Sequence, residues 1–318
     1  MKLTVPSSPH IRSGDDTGRI MGDVILALLP ATAAGVLVFG LRAAGVVLVC
    51  VVFALLGEGM WRRISGQHNT LPDRSAALTG LLLALTLPVS VPYWVAATGS
   101  LFAVIVVKGM CGGLGQNPFN PALAARAFLV LAFPVALTRY PARQAGVPLV
   151  GAADLVTTAT PLHKMQIPAL PSASLWDVFI GRIDGSIGET SALALLAGGA
   201  YLVFRRVIHP RIPLSYLGSA ALVSLIFSLG QSPVPWMLYT LFGGGLFLGA
   251  IFMATDYSSS PVTPKGQIVF GVGCGMLTVL FRYVGIFPEG VTYAILLMNA
   301  AVWLVEERTP PRRFGTGR

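Results

Sequence analysis

The sequence predicts an all-α integral membrane protein of about ten transmembrane helices, arranged as two inverted five-helix repeats with short and broken helices. Three observations lead there. The 318 residues are 54% hydrophobic and only 11% charged, with a mean hydropathy of +0.73, whereas soluble domains carry roughly 25% charged residues. Apolar runs close to the ~20 residues of a membrane-spanning helix recur along the chain. They lack the alternating pattern of a barrel, so backbone groups in lipid are satisfied within helices. Finally, the second half of the chain echoes the first.

The net charge of +9 could suggest a nucleic-acid partner, but the distribution argues for a lipid bilayer and no nucleic acid. Lys and Arg fall mainly between and beyond the apolar runs, as topology signals do. Cys50, Cys111 and Cys274 are widely spaced, with no Cys-x-x-Cys and no Cys/His metal pattern, so they read as small apolar side chains. The first apolar run follows a polar lead containing Asp15 and Asp16, longer than that of a signal peptide, and no soluble domain comes after it, so it reads as a retained span.

Taken in order, span 1 covers 21–40 and span 2 covers 43–61, stopped by Arg62 and Arg63. Pro88 and Pro92 then split the next apolar stretch, because a helix interior cannot accommodate two prolines four apart. That leaves a short span 3 (76–87) and span 4 (93–107). Twelve residues at 1.5 Å each fall short of ~30 Å of hydrocarbon, so span 3 reads as a half-helix. Residues 108–121 hold Gly112, Gly113, Gly115, Asn117, Pro118, Asn120 and Pro121. Such irregular backbone must line a cavity or be buried in protein. Span 5 (122–137) carries Arg126, which at that depth needs a partner, a ligand or water.

A long polar loop from Arg139 to Gly185 carries Pro141, Pro148, Pro161, Pro168 and Pro171. A loop of this length is functional or a small lobe of its own. Spans 6 to 10 follow at 189–204, 213–229, 236–254, 267–283 and 291–305. The division is therefore a first repeat (1–137), an extracytoplasmic loop (138–187), a second repeat (188–306) and a basic cytoplasmic tail (307–318). Arg62, Arg63, Arg74, Lys108, Arg205, Arg206, Lys265 and the tail arginines collect on one side. The positive-inside rule makes that side, and both termini, cytoplasmic.

The repeat shows in Asn117-Pro-Phe-Asn-Pro121 and Ser260-Pro-Val-Thr-Pro264, which share Pro-x-x-Pro ahead of a span. Each follows a glycine-bearing apolar span, at Gly99-Ser-Leu-Phe and Gly244-Gly-Leu-Phe. An odd number of spans per half inverts the copies, and matching interruptions point to a site between them. Asp256, Lys108 and Arg126 lie near these interruptions, suited either to ion passage or ligand binding or to pairing at helix ends. Glu58, near the end of span 2, reads as interfacial.

The stretch Asp184-Gly-Ser-Ile-Gly-Glu-Thr-Ser191 closes the long loop. Ser186 followed three residues later by Glu189, ahead of an apolar run, is a capping box. The same helix N-terminus also suits a phosphate, and a threonine hydroxyl there could carry a phosphoester.

Several stretches together carry a family resemblance. They are Ser8-Pro-His10, Met21–Pro30, Asp73–Gly80 with Leu87-Pro88, Gly112–Pro121, Asp184–Ser191, Phe252–Asp256, and Pro288–Val291 with Leu296–Asn299. They run through nearly the whole chain, which resembles the D subunit of the Rnf ion-translocating electron-transport complexes. It is similar, more distantly, to the B subunit of sodium-translocating NADH:quinone reductases. The resemblance implies a multi-pass component of a prokaryotic inner (cytoplasmic) membrane that works among other Rnf subunits, one of them an FMN-bearing extracytoplasmic subunit. Electrons pass between ferredoxin and NAD and drive Na⁺ or H⁺ movement.

The resemblance also implies FMN joined by its phosphate to a threonine, here Thr190, by a separate flavin transferase. The transferase pattern is Asp-x-x-Ser/Thr-Gly-Ala-Thr. Asp184, Gly188 and Thr190 meet it, while Ile187 and Glu189 depart from it. A second, non-covalent flavin, riboflavin, is implied between the helices. The candidate cofactor residues are Thr190, Asp184, Ser186, Gly188, Asn117, Asn120, Arg126 and Asp256. With no Rossmann fingerprint and no cysteine cluster motif, the chain is not a competent enzyme alone. The rival reading is a transporter or channel for a small polar solute, since inverted repeats with broken helices serve both.

Overall fold

A computed structural model describes residues 16–66, 70–138, 140, 171, 174–181, 183, 185–189, 191–228, 230, 232–284 and 289–310. These are helical throughout, and the one β-type pairing among them is an isolated bridge between Pro88 and Ser186.

The chain opens with α1 (Thr17–Phe39) and α2 (Leu41–Ser65), the two longest helices. Asp16 caps α1 by accepting from the Thr17 amide at 2.8 Å. Gly40, at φ +77°, reverses the chain between them, a conformation glycine enters without steric cost. Short α3 (Ser75–Thr86) is buried almost all round. Its 12 residues span ~18 Å, the half-helix length the prolines predict. Arg42 resolves the break that follows. Its guanidinium donates to the carbonyls of Val89 (3.0 Å) and Ser90 (3.4 Å) and lies 5.5 Å from the Tyr93 ring. Arg42 is 6% exposed. It satisfies carbonyls that the Pro88–Pro92 break leaves without helix partners.

α4 (Tyr93–Gly109) turns π-helical over Phe102–Gly109. α5 (Pro121–Ala132) is shorter than expected because Pro134 has no N–H to continue it, and α6 (Pro134–Thr138) restarts the chain. After α7 (Leu175–Ile180) come α8 (Ala192–Phe204) and α9 (Arg211–Ile226). The expected continuous span over 236–254 is two helices, α10 (Pro233–Phe242) and α11 (Leu246–Met253), bent by 62°. Gly243, Gly244 and Gly245 make the break, with Gly244 at φ +71°, and Arg282 donates to the carbonyls of Thr240 and Gly243 there. α12 (Pro264–Val284), α13 (Val291–Ala300) and α14 (Val302–Arg308) complete the chain. The last residues of α11, Gly249–Met253, are also π-helical. Thus both glycine-bearing spans that precede a Pro-x-x-Pro stretch carry a π segment, a geometry common at functional sites.

Three helices, α1, α2 and α12, are long and apolar enough to cross a bilayer, and the bent α10–α11 pair passes together. Six shorter apolar helices accompany them, so the chain is an integral membrane protein of helical type. The helices meet on small residues. A Cβ on Gly80 of α3 would stand 2.7 Å from the Cys50 carbonyl oxygen of α2, and one on Gly275 of α12 would stand 2.5 Å from that of Tyr216 of α9. Close backbone approach of this kind drives helix association in lipid, where hydrophobic burial cannot.

Candidate functional site: a buried cluster and a polar-walled cavity

The predicted site residues that the structure describes fall into two places at opposite ends of α1 and α3. One end holds Thr17 and Ser75 and is called the near face; the other holds Phe39 and Leu87 and is called the far face.

At the far face, the Gly185–Glu189 stretch is packed into the core by its backbone. The Ile187 amide donates to the Leu87 carbonyl at 3.1 Å, at the Pro88–Ser186 bridge. A Cβ on Gly188 would stand 2.7 Å from Leu85 Cβ and 2.8 Å from its carbonyl oxygen, and one on Gly35 of α1 would stand 2.5 Å from the Ile187 oxygen. Ser186 and Ile187 are fully buried. The capping box forms in part: the Ser186 amide donates to Glu189 Oε2 at 3.3 Å. It closes only a single 3₁₀ turn, Ile187–Glu189. The cap of α8 is Ser191, whose Oγ accepts from the Ala194 amide at 3.2 Å. The expected start of the span at 189 therefore moves to Ala192, because the Ile187 amide is committed to Leu87.

Glu289 organises the polar side of this cluster. Its Oε1 accepts from the Tyr140 hydroxyl at 2.9 Å and from Ser186 Oγ at 3.3 Å, and its Oε2 pairs with Arg126. Burial, with the nearby Glu189 carboxylate, pushes the Tyr140 hydroxyl up to about 12, so Tyr140 remains a donor at neutral pH. Glu189 Oε1 has no hydrogen-bond partner among the described residues. It faces Gly245, at the start of α11, where a helix N-terminus favours a negative charge. Asp184 and Thr190 lie outside the described residues.

Asn117, Asn120 and Asp256 are gathered at the near face, around a cavity of about 720 Å³, its open mouth included. Apolar walls come from Ile20, Met21 and Val24 of α1, Leu78 and Leu82 of α3, and Phe252 of α11. Polar groups converge from Lys108, Ser75, Thr79, Asn117, Asn120 and Asp256. From the 108–121 loop, Leu114 lines the cavity beside Asn117, and Gly112, Gly113 and Gly115 next to it are all at positive φ. Asn120 caps α5, its Oδ1 accepting from the Ala122 and Leu123 amides at 3.0 and 3.3 Å, while Nδ2 donates to the Met253 carbonyl at 3.2 Å. It thus ties the start of α5 to the π-helical end of α11. Asn117 Nδ2 donates to the Phe119 carbonyl at 2.9 Å. Asp256 Oδ2 accepts from the hydroxyls of Ser258 (3.0 Å) and Ser259 (3.1 Å). Burial raises its carboxyl above the usual range, against the pull of those two hydroxyls.

The sequence reading missed the cavity's buried ion pair. Lys108 Nζ donates to Glu58 Oε2 at 2.7 Å and to Ser75 Oγ at 2.6 Å. Glu58, expected at the interface, is 2% exposed, held also by Thr70 and Arg62. An acid and a base fifty residues apart leave no local signature. Glu289 and Tyr140 were missed for the same reason, although a buried Arg126 demanded a partner. Among the described residues no group of His, Cys, Asp and Glu could hold a metal ion.

The cavity's lining is mostly apolar with a few converging polar groups, the make-up of a small-molecule site. The far cluster offers less room, since its glycines are filled by neighbouring backbone.

Comparison with known proteins agrees along almost the full length. The chain is 47% identical over 318 residues to the D subunit of the Na(+)-translocating ferredoxin:NAD(+) oxidoreductase complex of Acetobacterium woodii, covering 99% of this chain and 96% of that protein. It is 40% identical over 330 residues to the D subunit of the proton-translocating ferredoxin:NAD(+) oxidoreductase complex of Clostridium ljungdahlii, covering 99% and 97%. It is 34% identical over 350 residues to the D subunit of an ion-translocating oxidoreductase complex of Escherichia coli, covering 99% of each. Residues 4–315 match the family described as NQR2, RnfD, RnfE, and the chain belongs to that family.

Proposed function

We propose that this chain is the membrane-embedded D-type subunit of an ion-translocating ferredoxin:NAD oxidoreductase complex, passing electrons between partner subunits to drive Na⁺ or H⁺ movement. The observation that carries this is the near-complete match to subunits of such complexes; the near-face cavity, with apolar walls and a few polar groups, supports a flavin ring as its occupant. In this reading ten spans form two inverted five-helix halves in the cytoplasmic membrane. The near face and both termini are cytoplasmic, and the far face is extracytoplasmic. Relatives at 47% and 40% identity are named for different ions, so overall similarity does not choose the ion.

Two flavins supply the redox chemistry when bound. The protein's own residues position them and exclude water. In the near-face cavity, Asn117 and Asp256 offer polar atoms at the rim, Asn120 holds the α5 and α11 walls at a fixed spacing, and the α1 and α3 side chains cover an apolar ring face. This is the place assigned to the non-covalent flavin, riboflavin.

The covalent FMN is assigned to the extracytoplasmic side, on a threonine. Thr190 is the first candidate by resemblance, but its neighbours weigh against it. Glu189 and Ser191 are 6% and 7% exposed, and Gly185–Glu189 is buried backbone, whereas a transferase must enclose its target chain. The long loop offers a closer match to the same pattern in Asp154-Leu-Val-Thr157-Thr158-Ala159-Thr160, with Thr158 for Gly as its single departure. These residues lie outside the described ones. Thr160 is therefore the preferred attachment site, and the Ser186–Glu189 turn is a structural plug.

The test is intact mass and in-gel flavin fluorescence of the denatured protein, co-expressed with a flavin transferase, for wild type, Thr160→Ala and Thr190→Ala. Loss of the flavin in Thr160→Ala alone is expected. Loss in Thr190→Ala alone restores the first candidate. No covalent flavin in any of the three, with the transferase active, favours a solute transporter.

A further inference from the structure

We propose that Lys108 is the positioning residue that meets negative charge on a reduced ring in the near-face cavity, making the Lys108–Glu58 pair the point where electron arrival is felt by the protein. The proposal rests on the reading of that cavity as a flavin site.

The geometry is specific. Lys108 comes from the π-helical end of α4 and is 2% exposed, yet it lines the cavity. An ammonium has three N–H donors. Two are used, on Glu58 Oε2 and Ser75 Oγ, and the third has no partner among the described residues. The other charges around it are arranged to hold it in place. Glu58 and Arg62 come from α2, with Arg62 Nε 3.4 Å from Glu58 Oε1. Asp73 stands behind Ser75, accepting from its hydroxyl at 2.5 Å. Asp256 lies across the cavity and is occupied by Ser258 and Ser259. Lys108 is thus the one cationic side chain lining the cavity among the described residues.

Two electrons from the complex's ferredoxin, together with one proton from water, leave a flavin ring with one extra negative charge. In a low-dielectric cavity such a charge attracts a nearby ammonium far more strongly than it does in water. Lys108 has a donor available for it, and each increment of attraction toward the ring weakens its hold on Glu58. The ammonium therefore stabilises the reduced ring relative to the oxidised one, and this raises the potential of the site.

The experiment uses the full complex, whose intact assembly on size-exclusion chromatography reports correct folding. Non-covalent flavin is released by acid and quantified, and its midpoint potential is measured by spectroelectrochemical titration. The variants are Glu58→Gln/Lys108→Gln, which removes both charges of the buried pair together, and Ser75→Ala, which removes one anchor of the ammonium and changes no charge. The double variant is expected to favour the reduced flavin about tenfold less, a fall of about 30 mV for a two-electron couple. Ser75→Ala is expected to shift the potential upward. Unchanged potentials in both variants, with flavin retained, overturn the role of Lys108. Wild-type complex without acid-released flavin overturns the cavity reading itself, a separate result.

Discussion

Replacing Glu289 by Ala should cost more than any other single change at the far face. Glu289 pairs with Arg126, their side chains 15% and 10% exposed, and accepts from Tyr140 and Ser186. Removing one partner of a buried pair costs roughly 3–5 kcal/mol, because the other charge is left uncompensated. The stranded Tyr140 and Ser186 hydroxyls add to this, since an unsatisfied buried donor costs about 1–3 kcal/mol. Residual exposure of the pair allows water to offset part of the loss, so a total of about 3–5 kcal/mol is the working figure. Such a loss corresponds to a fall in melting temperature of roughly 5–10 °C in detergent. Arg126→Met should cost a similar amount. The double variant Arg126→Met/Glu289→Ala should lose less than the sum of the two single losses, because neither charge of the pair is left behind. Differential scanning fluorimetry of the four proteins measures the coupling. Strictly additive losses would refute the claim that this pair ties the Ser186 turn to α5 and α13.

Gly188→Ala should destabilise by roughly 1–3 kcal/mol, as overpacking does, since its Cβ meets Leu85 Cβ at 2.7 Å. Gly218→Ala, with nothing within 4 Å, should be neutral or slightly stabilising by helix propensity; scanning fluorimetry compares the two. Tyr140, pushed up to about 12, stays neutral when an unfolded tyrosine ionises near 10. Its contribution to stability is therefore full below pH ~10 and lost as pH rises from ~10 toward 12. Tyr140→Phe should flatten that part of the stability profile, and an unchanged slope would contradict the assignment. Asn120→Ala should lower stability by about 1 kcal/mol through its lost cap and also deplete acid-released flavin. Depletion without any stability loss would mean that Asn120 contacts the ligand rather than the wall.

The membrane class, the half-helix at Ser75–Thr86 and the irregular loop at 108–121 were legible because prolines, glycines and hydropathy act locally. The bend at Gly243–Gly245 was not, since three glycines in an apolar run read equally well as close helix packing. Glu58 was misplaced because its partner, Lys108, is distant in sequence. Of the candidate residues, Asn117, Asn120 and Asp256 stand around one cavity. Arg126, Ser186 and Gly188 belong elsewhere, near Glu289 and Leu85. The Ser186–Glu189 capping box was read correctly as chemistry but too broadly as an element, since Ser191 starts the helix.

Whether this chain is an electron carrier is decided most simply by mapping its flavin-bearing peptides by mass spectrometry after maturation with an active transferase. FMN joined through its phosphate is expected on the peptide containing Thr160, together with acid-released flavin from the same preparation. A protein that carries neither flavin would contradict the electron-carrier role.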